Sequence, residues 1–194
     1  MSKAGGWPES PFWNYSLALY GELGVERACL ELQRRHDLDV NLLLFCCWLA
    51  ARGVELDAPA LERARQAAES WQLEVVRPLR AIRQRLKVRL ARPEAGSVPA
   101  GWPDLAGRLR AGILGLELDA EHLEQLALAD VVAGKGGAAA GPALASLNLR
   151  RYRAFEAEDR RALGALLRGA FPDAGPAAIE TALTDLSGRP ASPR

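Results

Sequence analysis

Nine apolar or small residues, Leu61, Ala64, Ala68, Trp71, Val75, Leu79, Ile82, Leu86 and Leu90, follow one another at steps of three or four. That spacing keeps one face of an α-helix apolar throughout, whereas a strand, with its period of two, would scatter these side chains over both faces. A second run has the same rhythm: Leu105, Leu109, Ile113, Leu116, Ala120, Leu123, Ala127 and Val131. Two long helices are therefore expected, from Asp57 as N-cap to about residue 90, and from Pro103 to about residue 133. The Gly- and Pro-containing stretch 93–101 turns the chain between them, which gives an antiparallel helical hairpin. Pro78 interrupts the first helix by removing one hydrogen-bond donor, yet the stripe keeps its phase, so one kinked helix about 50 Å long is expected. Composition extends this to the whole chain. There are 35 alanines and 32 leucines against 14 valines, isoleucines and threonines combined, which points to an all-α fold, a helical bundle built on that hairpin.

Ser10 and Pro11 predict a helix start, and Gly21 and Gly24 its end. Val25, Cys29, Leu32 and His36 form the inner stripe of the next helix, with Arg27–Glu31 and Glu31–Arg35 as pairs on its outer face. The stretch VNLLLFCCWLAARG, capped by Asp37 or Asp39 and closed by Gly53, is apolar on every side and belongs at the centre of the bundle. The segment GKGGAAAG reads as a flexible linker over 134–141. Weaker helical patterns follow at 142–155, 159–171 and 176–186, then the tail SGRPASPR. The expected division is a helical domain over 1–133, the linker, and a small helical appendage with its tail over 142–194.

The 194 residues carry a net charge of +1, which argues against a dedicated nucleic-acid binder. No apolar stretch follows the N-terminal lysine, and the longest apolar run, residues 42–51, is too short to span a bilayer. Cys29, Cys46 and Cys47 lack metal or disulfide spacing, and the adjacent pair lies in apolar sequence, where thiols are inert. These features predict a reducing, cytoplasmic location. With only His36 and His122 as histidines, no zinc spacing, no HExxH and no nucleophile elbow are formed. DLDVN mimics the start of a calcium loop, but Leu42 and Trp48 stand where glycine and glutamate are required. Lys135 is not followed by Ser or Thr, so GKGG is no phosphate loop. No metal, no cofactor and no catalytic residue is expected, and the balance leans away from an enzyme.

The most charged stretch is RPLRAIRQRLKVRLAR, residues 77–92, with seven basic residues and no acid. Arg80, Arg83 and Lys87 fall on one flank of its apolar stripe, and Arg85, Arg89 and Arg92 on the other, with Arg77 at its start. Two readings stay open: a solvated face whose arginine stems cover the core edge, or a site for an acidic protein, an RNA backbone or a membrane surface. The cluster Glu117, Asp119, Glu121 and Glu124 on the facing arm has the charge to neutralise part of it internally. Asn41 enters the apolar third helix near its first turn. It either ties down a neighbouring element or, with Trp13, Trp48, Trp71 and Arg80, lines a small-molecule pocket. The leading expectation is a non-enzymatic adaptor that docks an acidic partner through Arg77, Arg80, Arg83, Arg85, Lys87 and Arg89. The alternatives are a small-molecule-binding protein or enzyme, and an RNA- or ribosome-associated factor. No DNA-specific motif is present.

The stretches FWNYSLALY, GVERACLELQ, HDLDVNLLLFCCWLAARG, Trp71 with EVVRPLRAIRQRLK, and ELDAEHLEQ resemble a bacterial domain-of-unknown-function family of small helical proteins. The resemblance covers about residues 12–128. It implies an all-helical fold and no assigned activity. Some relatives are encoded beside ATP-binding cassette proteins of the translation-factor type, which implies proximity to ribosomes or RNA. His122 stands where the family pattern tends to show arginine.

Overall fold

The computed structural model describes residues 8–91, 103–132, 137 and 139–187. Among these residues every regular element is helical. The helices are α1 (Pro11–Gly21), α2 (Val25–His36), α3 (Val40–Ala51), α4 (Ala58–Trp71), α5 (Arg77–Ala91), α6 (Pro103–Asp130), α7 (Pro142–Tyr152), α8 (Arg160–Ala170) and α9 (Pro176–Ser187). A π-turn (Gln72–Val76) joins α4 to α5, and a 3-10 turn (Ala157–Asp159) leads into α8. The fold is all-α. The loop 93–101, most of the expected linker and the tail lie outside the described residues.

Local chemistry sets the helix starts. Ser10 Oγ accepts from Trp13 N at 3.3 Å, Asp39 Oδ1 from Asn41 N at 2.8 Å and Asp57 Oδ1 from Ala60 N at 2.7 Å. Each satisfies a backbone donor that the first helical turn leaves unpaired. Gly24 precedes α2 at φ 84°, a left-handed conformation that glycine takes without steric cost.

α3 is the axle of the molecule: all ten residues from Asn41 to Ala50 are buried. The C-terminal helices share its core. Leu144, Leu149, Leu163, Leu167, Ala182 and Leu186 belong to one buried cluster with Phe12, Leu43, Phe45 and Leu49. Helices α7, α8 and α9 thus contribute side chains to the same core as α1, α2 and α3. Polar groups explain how weakly patterned helices dock so firmly. Asn148, fully buried, accepts from Leu56 N at 2.8 Å and donates to Val54 O at 3.1 Å and Cys46 O at 3.3 Å. His36 Nε2 lies 2.7 Å from Asp159 Oδ2, and Arg153 donates to His36 O at 2.7 Å. The charged residues of α2 also reach across the molecule. Glu31 pairs with Arg161 at 3.2 Å, and Arg35 with Glu156 at 3.1 Å and Asp159 at 3.3 Å, in place of pairs along α2 itself. α8 comes close enough that a Cβ on Gly169 would lie 2.6 Å from Val25 Cγ2.

The helical path from Ala58 to Ala91 is continuous through the π-turn, whose closing bond runs from Arg77 N to Gln72 O. The wider turn lies just ahead of Pro78, which has no N–H to give to residue 74. α6 returns antiparallel: Arg83 meets Glu117, Arg80 meets Glu121 and Gln72 meets Glu124. The expected stripe is only partly inward: Ala120 is buried and Ile113, Ala127 and Val131 are half-buried. Leu105, Leu109, Leu116 and Leu123 are exposed, while Glu117, Glu124 and Leu128 are buried and Glu121 is half-buried. The true face lies one residue further along the chain, turned by about 100°. It tolerates carboxylates because α5 and the π-turn supply their partners.

Candidate functional site

A cavity of about 470 Å³ lies at the root of the hairpin, enclosed by α1, α2, the start of α3, the π-turn, α5 and α6. Its wall is an ion cluster. Arg80 Nε donates to Glu117 Oε1 at 2.8 Å and Arg80 Nη2 to Glu121 Oε1 at 2.6 Å. Arg83 Nε donates to Glu117 Oε2 at 2.5 Å and Arg83 Nη2 to Glu117 Oε1 at 3.2 Å. Burial alone would raise Glu117, but the hydrogen bonds from Arg83 and Arg80 outweigh it and hold the carboxyl below its ordinary value. The hydrogen bond to Glu117 likewise raises Arg83. Glu121 has less cationic help, and burial raises it despite Arg80.

Amides and a carboxyl pair make the floor. Gln72 Nε2 donates to Glu124 Oε2 at 2.8 Å, and Gln125 Nε2 donates to Asn41 Oδ1 at 2.8 Å. Glu124 is fully buried, and its Oε1, like Asp39 Oδ2, is a buried oxygen with no hydrogen-bond donor among the described residues. Burial and the neighbouring Asp39 carboxyl raise Glu124, which favours its protonated form. Burial also raises Asp39, against the backbone N–H groups at the start of α3. Tyr152 closes the back of Asp39: its hydroxyl accepts from Asp39 N at 3.0 Å and donates to Asp39 O at 3.2 Å. Trp13, Leu17, Tyr20 and Leu30 supply an apolar rim.

Of the residues expected at a pocket, Trp13, Asn41 and Arg80 line this one, joined by Arg83. Asn41 does tie down a neighbour, the side chain of Gln125 on α6. Trp48 is buried in the core instead, its ring centroid 5.0 Å from that of Phe12 and 4.6 Å from the Arg52 guanidinium carbon. Trp71 lies at the end of α4 and does not line the cavity. The basic arm divides. Arg80 and Arg83 turn inward and are neutralised. Arg77 reaches Asp37 at 3.9 Å, with both side chains largely in solvent. Arg85, Lys87 and Arg89 are exposed with no carboxylate within 4 Å among the described residues. Arg92 lies outside the described residues. Glu124, Gln72, Gln125 and Asp39 are site residues that pattern reading passes over. The one available signal is that Glu117, Glu121, Glu124 and Leu128 step 4, 3, 4 along α6, a helical face in its own right.

The thiols stay apart from this chemistry. Cys29, Cys46 and Cys47 are buried and free, and burial pushes the first two up to about 12. No helix among the described residues is long and apolar enough to cross a membrane. No curated protein and no solved structure matches the chain. A family model described as a protein of unknown function, DUF2390, matches residues 11–128, from the first turn of α1 nearly to the end of α6 and so across every wall of the cavity, and the chain belongs to that family.

Proposed function

We propose that this chain is an interaction protein that docks an acidic partner on the outer half of the hairpin. One observation carries the reading: α5 has no buried residue along its 15-residue length. A surface helix that only serves the core buries one stripe. Here Ile82 and Val88 of α5 and Leu105, Leu109 and Leu116 of α6 stay exposed beside Arg85, Lys87 and Arg89, which have no carboxylate partner among the described residues. Exposed apolar side chains bordered by charge mark contact surfaces, and the sign of the charge selects the partner. Positive charge on every copy opposes self-association through this face. The two arginines committed to Glu117 and Glu121 fix the root of the hairpin and leave the outer residues for the partner.

Site-specific photo-crosslinking from positions 88 and 109 in the producing cell tests this. We expect the same acidic protein to be captured from both positions. Arg85→Glu with Arg89→Glu should abolish the capture, and added salt should weaken it. Capture that survives charge reversal overturns the proposal, as does an adduct that disappears with ribonuclease, which would identify RNA as the occupant.

A further inference from the structure

We propose that the cavity at the root of the hairpin binds a primary organic ammonium ion, with Ser16 and Gln125 accepting its N–H groups and the surrounding carboxylates supplying the counter-charge. This is independent of the docking reading, since Arg85, Lys87 and Arg89 do not line the cavity.

Three observations converge. The first is charge: Glu26, Asp39, Glu117 and Glu121 line the cavity against Arg80 and Arg83. Those two guanidinium groups already donate four hydrogen bonds to Glu117 and Glu121. Their charge is met by those two carboxylates, and with Glu26 and Asp39 added the lining keeps an excess of acidic over basic side chains. The second is unmet bonding. Ser16 and Gln125 are 3% and 2% exposed and both line the cavity. Gln125 commits its amide N–H to Asn41, yet Gln125 Oε1 and Ser16 Oγ have no hydrogen-bond partner among the described residues. A buried acceptor left unpaired is destabilising, and a ligand bearing N–H donors satisfies it. The third is shape. The volume of about 470 Å³ lies in the range of small-ligand sites. Its rim carries Trp13 and Tyr20, whose ring faces favour a cation, and Leu17 and Leu30, which suit a short hydrocarbon stem.

Isothermal titration of the full chain with n-butylammonium chloride tests the inference, alongside tetramethylammonium chloride and sodium butyrate. We expect saturable one-to-one binding of butylammonium. Tetramethylammonium, a cation without N–H donors, should bind at least about tenfold more weakly, and butyrate should give no saturable heat. Gln125→Met should weaken butylammonium by a similar factor. In the wild type, the side-chain amide signals of Gln125 and Asn41 should shift with the titration, a readout that does not depend on how the variant folds. Absence of saturation by butylammonium, equal affinity for the quaternary ion, preference for butyrate, or shifts confined to residues outside the cavity would each overturn it.

Discussion

Glu124 has no solvent around it, one Gln72 amide on its carboxyl and the Asp39 carboxyl as a charged neighbour. Its folded-state pKa is raised above that of an unfolded glutamate, so above the ordinary carboxylate range the folded protein holds a proton that the unfolded chain gives up. The stabilisation is therefore full below that range and is lost as pH rises towards the raised value. The slope is at most about 1.4 kcal/mol per pH unit. Glu124→Gln keeps an N–H for Asp39 and an oxygen for Gln72 while removing the titration. Urea unfolding from mildly acidic to neutral pH, below the range in which the cysteines ionise in the unfolded chain, is expected to show wild-type stability falling more steeply than that of the variant. Parallel profiles would show that Glu124 does not hold the proton. Such a residue is hard to read in advance. A glutamate among Glu117, Asp119 and Glu121 looks like solvated charge, and only the arrival of Gln72 and Asp39 from distant parts of the chain makes its burial tolerable.

At the scale of single elements, α6 shows how the richest hydrophobic pattern can mark the wrong face. The leucines at 105, 109, 116 and 123 line up at helical spacing, and nothing in spacing distinguishes a stripe that seeks a core from one left in solvent. The packed side is set by ion pairs and amides that pattern reading scores as polar. Leu105→Gln combined with Leu109→Gln is thus expected to change the unfolding free energy by less than about 0.5 kcal/mol, while Leu128→Ala, at 0% exposure, costs about 2–5 kcal/mol. Denaturant titration of both checks the contrast, and a cost for the double substitution equal to that of Leu128→Ala would place the stripe inside after all. The helix starts at Ser10, Asp39 and Asp57 and the all-apolar α3 were legible because their causes are local: a side-chain oxygen near the first turn, an unbroken apolar run. The antiparallel return of α6 was legible too, from two matching runs and a short connection.

For the molecule as a whole, the C-terminal helices matter most. Their sequence patterns are short and weak, which suggests loose attachment, yet Asn148, Tyr152, Arg153 and Asp159 are bonded to backbone or side chains of residues 36–56. Single polar contacts between segments about 100 residues apart leave no periodic trace in a sequence. A chain ending after Val132 would strip one flank of α3 and leave Leu43, Phe45 and Leu49 without Leu149, Leu163 and Leu167. Such a chain is expected to lose its cooperative melting transition in circular dichroism. A sharp transition close to that of the full chain would mean that α7, α8 and α9 are dispensable.

The π-turn has an angular consequence. Each α-helical residue advances the chain by about 100° around its axis, so one surplus residue between Trp71 and Arg77 resets the bearing of everything that follows. α4 keeps Ala60, Ala64 and Ala68 against the core, while α5 points Arg80 and Arg83 at Glu117. Without that offset an unbroken helix would carry Arg80 and Arg83 well round the rod from the Ala60, Ala64 and Ala68 face. Five residues of wider winding bring them back, so that both halves of one continuous rod face α6.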